Sequence, residues 1–236
     1  MPEYSPILAI VTGILEAAAG VYALTGPGRK TILRPAAVLL FLLAGYQFAE
    51  VAVCAAPASL AYSRLAYLVI TWMPPFALRL AVVLDARRKK ILGPVALFYF
   101  AAAAVLCAWI LADAGAITRS VCDLVLARYF VATPFAIVYG LYYQTALLWI
   151  VFGSGMAMAS AADAVRRKHL ANLQMGVLGF MFPAVAVRVL VRGPGDILPS
   201  AMCHFALLLA ASLVSLVARE RKAGSGLRTA PPEGGS

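Results

Sequence analysis

A single bundle of seven membrane-spanning helices is the fold this chain predicts, and three observations carry the prediction. Hydrophobic residues fill 63% of the 236 positions and charged residues only 13%, against roughly 45–50% and 25% in soluble domains. Apolar stretches near the length a bilayer requires, about 20 residues, recur along the whole chain. Basic residues gather at every second break between those stretches: Arg29, Lys30 and Arg34; Arg87, Arg88, Lys89 and Lys90; Arg166, Arg167 and Lys168; Arg219, Arg221 and Lys222. Cytoplasmic loops hold the excess of Lys and Arg, so the alternation predicts an N-out/C-in arrangement.

The first span, 7–24, stops at Thr25-Gly26-Pro27-Gly28. It has no basic segment before it and carries Glu16, so it reads as a retained helix rather than a signal peptide. The second, 35–56, opens on Pro35, at a first turn where a missing N–H is harmless. The third is 65–84 and the fourth 91–112. The fifth, 129–152, closes at Gly153-Ser154-Gly155, and the sixth, 171–191, at Arg192-Gly193-Pro194-Gly195. The seventh is 200–218. Residues 1–218 therefore predict one transmembrane domain. Residues 219–236, rich in Gly, Pro and Ser, predict a disordered cytoplasmic tail.

A net charge of +10 would point to nucleic acid in a soluble protein. Here the charge sits at helix ends, so the expected partners are the bilayer and anionic headgroups at its cytoplasmic face, with no nucleic acid. The predicted location is the cell membrane, as a multi-pass protein of a bacterial inner membrane.

Ionisable groups at membrane depth are costly and mark candidate sites. Glu16 falls near the middle of the first span. Gln47, Glu50 and Cys54 share one face of the second, at spacings of three and four. Arg188 falls near the outer end of the sixth span and His204 near that of the seventh, while Tyr139 and Tyr143 occupy the fifth. Together they predict an outward-facing pocket with Glu50 and Arg188 as a charged clamp. Gln47 and His204 would support it, Glu16 would stand nearby, and Tyr139 and Tyr143 would form the wall.

With only two histidines, on opposite sides, the chain predicts no metal site. The last span holds no lysine for a retinal Schiff base, and no cofactor is expected. All four cysteines fall towards the outer, oxidising side. A Cys54–Cys203 disulfide is the first expectation and a pair using Cys122 the second.

Four stretches form a set: Tyr46-Gln47-Phe48-Ala49-Glu50; Ser63-Arg64-Leu65-Ala66-Tyr67 leading to Pro74-Pro75; Tyr139-Gly140-Leu141-Tyr142-Tyr143; and Pro199-Ser200-Ala201-Met202-Cys203. The set resembles an uncharacterised group of bacterial seven-helix inner-membrane proteins, across most of the second to seventh spans. That resemblance implies the fold and location and brings no activity with it. The leading functional expectation is a non-enzymatic sensor or carrier that binds a small or lipid-like ligand. The alternatives are an intramembrane lipid-modifying enzyme with Glu50 and His204 as acid–base pair, and a structural partner subunit without its own site.

Overall fold

The computed structural model describes residues 5–56, 58–85, 89–123, 127–161, 163–190 and 196–229; the side chains of Lys89, Arg188, Cys203 and residues 224–229 lie outside that description. The elements run α1 (Ile7–Thr25), α2 (Lys30–Ala55), α3 (Leu60–Thr71), α4 (Met73–Leu84), α5 (Lys89–Ala112), β1 (Ile117–Cys122), β2 (Ala127–Val131), α6 (Thr133–Ala159), α7 (Ala164–Leu190) and α8 (Leu198–Thr229). Seven helical stretches are long and apolar enough to cross a membrane, with α3 and α4 together forming the third.

The break between α3 and α4 follows from chemistry. Pro74 and Pro75 have no N–H to donate, so the carbonyl four residues before each loses its helical partner. For Pro75 that carbonyl belongs to Thr71, and the Tyr142 hydroxyl of α6 donates to it at 2.6 Å. The proline break thus ties α3 to α6.

Close helix contact elsewhere depends on small residues, as expected inside a bilayer. A Cβ added to Gly13 would stand 3.1 Å from the Phe48 ring, and one added to Gly20 would stand 2.9 Å from that of Phe41. α1 therefore lies tightly along α2. α2 is the central element and packs against α1, α3, α4, α8 and both strands.

Several boundaries differ from expectation. α2 starts at Lys30, which places Pro35 inside the helix. α6 continues past Gly153-Ser154-Gly155, because Ser154 Oγ donates back to the Ile150 carbonyl at 2.7 Å and Gly153 seats Leu92. α7 starts at Ala164 and takes the third basic cluster into its first turns. α8 runs on to Thr229, so the start of the expected disordered tail is helical. Glu220 holds it there: its carboxylate is buried and accepts hydrogen bonds from Arg29 N, Nε and Nη2 at 3.0, 2.7 and 2.8 Å.

The segment before α6 is an antiparallel β-hairpin rather than the start of a helix. Its register pairs Ser120 with Tyr129 and Cys122 with Ala127. Asp196, just before α8, adds a further bridge: Tyr129 N donates to its carbonyl at 2.9 Å and Asp196 N to that of Tyr129 at 2.7 Å. The hairpin packs over one end of the bundle, touching α2 and α3. The opposite end gathers the ion pairs Arg29–Glu220 and Arg166–Asp85. The two are called the hairpin end and the basic end below.

A tyrosine-lined candidate ligand cavity

One face of α6 builds a cavity. Phe135, Tyr139 and Tyr143 recur four residues apart, as do Ala136, Gly140 and Gln144, and all six line it. That spacing stacks side chains along a single helical stripe. Phe135 and Tyr139 are stacked at 5.4 Å between ring centroids, and Tyr139 and Tyr143 at 6.1 Å. Tyr67 and Met73 of the broken third span, Phe180 of α7 and Met202 of α8 supply the other walls, with Val131 and Asp196 at the hairpin end. The volume is about 660 Å³, counting the open mouth. Only about 60 Å³ of that space is enclosed, and the wall is mostly apolar with a few polar groups, as in small-molecule sites.

The tyrosine hydroxyls are partly committed to the protein. Those of Tyr139 and Thr71 are hydrogen-bonded at 3.3 Å, and that of Tyr142 is held by the Thr71 carbonyl. Tyr143 Oη lies 4.0 Å from Met73 Sδ. These contacts fix ring positions before any ligand arrives, a form of preorganisation.

Among the expected site residues, Tyr139 and Tyr143 stand in this wall. Glu50, Gln47, Glu16 and His204 do not line it, and the Arg188 side chain lies outside the described residues. Those four groups therefore stand apart from this cavity. Glu50 is fully buried where α2 meets α8 and the hairpin, and Ser200 Oγ donates to its Oε1 at 2.7 Å. The N–H of Ala127 donates to the same Ser200 oxygen at 3.0 Å. The His204 Nδ1–H donates to the Ser200 carbonyl at 2.9 Å. Glu50 and His204 thus both attach to Ser200, one through its side chain and one through its backbone, and neither faces the cavity.

Gln47 is buried on α2, its Cβ close to Gly13 of α1. Glu16 is buried on the face of α1 that carries Gly13 and Gly20. Both its carboxyl oxygens lack a hydrogen-bond partner among the described residues.

The disulfide joins Cys54 to Cys122, with Cα atoms 5.7 Å apart. This corrects the Cys54–Cys203 expectation: the hairpin folds over the end of α2 and delivers Cys122 to Cys54, while the Cys203 side chain lies outside the described residues. Cys107 on α5 is a half-buried free thiol. Among the described residues no group of three or more His, Cys, Asp or Glu side chains could hold a metal ion.

At the basic end, the hydrogen bonds that Arg29 donates to Glu220 push its pKa above the ordinary value, so the guanidinium stays charged. His169 is buried beside this pair, its Nδ1 4.0 Å from Glu220 Oε2.

No protein-family model matches the chain, and no curated protein matches it.

Among the cavity residues absent from the sequence expectation are Tyr67, Met73, Gly140, Gln144, Phe180 and Met202. Those on α6 carried a readable signal, the paired stripe at spacing four. The others come from four helices, α3, α4, α7 and α8, and only the packing brings them together.

Proposed function

We propose that this chain is a non-enzymatic integral membrane protein that binds a small, lipid-like ligand in the tyrosine-lined cavity, as a sensor or carrier. The supporting observation is the cavity itself: a mostly apolar, aromatic-walled space in which Tyr139 is already positioned by its hydrogen bond to the Thr71 hydroxyl. Most of the buried charged residues reinforce the hairpin end and the basic end, and Asp196 alone of the described charged groups lines the cavity. The ligand is therefore recognised chiefly by apolar burial, with few polar contacts.

The orientation we propose follows the basic clusters. It puts the basic end in the cytoplasm of a bacterial cell, against anionic headgroups, and the hairpin outside. A disulfide in the hairpin agrees with that side being oxidising. The cavity then lies in the outer half of the membrane.

Gly140→Leu tests the binding reading. A Cβ at position 140 meets nothing within 4 Å, so a leucine there fills the cavity without displacing protein atoms. Wild type and variant are purified in mild detergent and their retained lipids identified by mass spectrometry. The expected result is a lipid enriched with wild type and lost from a variant that melts normally when delipidated. Equal retention by both would remove the cavity as the binding site.

A further inference from the structure

We propose that the cavity opens sideways into the bilayer, along α6, and takes a membrane lipid carrying a carbonyl or hydroxyl within its apolar part. This rests on the ligand-binding reading and names the ligand's route and class. The route follows from depth and exposure. Ala136, Gly140 and Gln144 line the cavity, yet Ala136 is exposed and the other two are half-exposed. They lie 3, 7 and 11 residues into α6, or about 4, 10 and 16 Å below its start at 1.5 Å per residue. Ile137 and Leu141 beside them are 57% and 61% exposed, and Phe182 across on α7 is 64% exposed. Side chains of that kind at that depth face hydrocarbon.

Nearer the basic end the two helices approach each other, where a Cβ on Gly155 would stand 3.6 Å from Gln174 Nε2. At Gly140 the same test finds open space. The mouth thus spans the upper half of a hydrocarbon core about 30 Å thick. Hydrocarbon, not water, stands in front of it.

The class follows from Gln144. It is the deepest of the three lining residues along α6, and its side chain makes no hydrogen bond among the described residues. An amide left bare in hydrocarbon is costly. A plain acyl chain offers it nothing. A ring carbonyl, as in a quinone lipid, or a mid-chain hydroxyl would complete it, against the aromatic wall of Phe135, Tyr139 and Tyr143.

The test uses the full chain in phosphatidylcholine nanodiscs with two photoprobes. One is a phosphatidylcholine bearing a diazirine in mid-chain; the other is a small water-soluble diazirine. Labelled peptides are mapped by mass spectrometry. The lipid probe is expected to label the Phe180 and Met202 segments of wild type. It should not label them in Gly140→Trp or, should that variant fold poorly, in Gly140→Leu, while labelling at Ile137 and Leu141 persists. Lining labelled by the aqueous probe alone would overturn lateral access and leave the ligand reading standing. Lining labelled by neither would overturn both.

Competition then reads the class. A benzoquinone lipid or a mid-chain hydroxystearoyl lipid should displace the probe about fivefold better than its stearoyl counterpart, the value of one buried hydrogen bond. Gln144→Leu should erase that preference. The better of the two competitors distinguishes carbonyl from hydroxyl, and no preference in wild type would overturn the assigned class.

Discussion

Ser200 is the residue on which the hairpin end turns, and its removal gives a quantitative prediction. Ser200→Ala deletes one hydroxyl with two partners: it donates to Glu50 Oε1 at 2.7 Å and accepts from Ala127 N–H at 3.0 Å. All three residues are fully buried, so no water replaces the lost group. A hydrogen bond to a carboxyl group is worth about 2 kcal/mol and an orphaned N–H costs about 1 kcal/mol, a total of about 3 kcal/mol. For a chain of this size that lowers Tm by roughly 6–12 °C. In a Glu50→Leu background the carboxyl is already absent, and only the N–H loss of about 1 kcal/mol remains. The double-mutant coupling is then about 2 kcal/mol. The assay is thermal unfolding of the four purified proteins in one detergent. Ser200→Ala costing the same in both backgrounds would refute the claim that the hydroxyl–carboxyl contact holds α8 to α2.

Three other perturbations have signed outcomes. Replacing Cys54 and Cys122 by alanine frees a crosslink between residues 68 apart, which loop-closure entropy values at about 4 kcal/mol at most; trypsin should then cut at Arg119 and Arg128 faster, and an unchanged rate would show that the non-covalent contacts suffice. Glu16→Leu should stabilise by about 1–3 kcal/mol, because it removes a buried carboxyl with no partner among the described residues; a loss in thermal unfolding would mean that the carboxyl is satisfied in the native protein. Glu220→Ala should destabilise by about 1 kcal/mol, discounted because the Arg29 side chain is 65% exposed; it should also speed proteolysis after Arg219 and Arg221, and wild-type resistance would argue against an anchored α8.

The seven spans were legible because each needs about 20 apolar residues and the basic clusters mark the breaks. What stayed hidden depends on contacts distant in sequence. The Ala127–Val131 strand reads as a helix start because its apolar residues run straight into those of α6, and only the pairing of Tyr129 with Ser120 and Asp196 makes it a strand. The Cys54–Cys122 pairing depends on that same hairpin folding back over α2. Glu50 stands apart from the cavity for a related reason. Glu50 is in the membrane and polar, as a ligand-binding group would be, but a serine 150 residues away takes up its oxygen.

The broken third span explains why the conspicuous polar groups and the open ones differ. Pro75 leaves the Thr71 carbonyl without a helical donor, and a bare carbonyl in hydrocarbon is costly. Tyr142 meets it at 2.6 Å, and Tyr139 bonds to the hydroxyl of the same threonine. One residue at the break therefore engages two tyrosine hydroxyls of α6, Tyr142 through its carbonyl and Tyr139 through its side chain. The Tyr139 ring of the wall is held by the bond that takes up its hydroxyl. Gly140 and Gln144, on the same face of α6 but past the reach of Thr71, are left as space and as an amide. A residue with no side chain and a single uncharged amide thus define the open part of the cavity, while the carboxylates and the disulfide hold its ends.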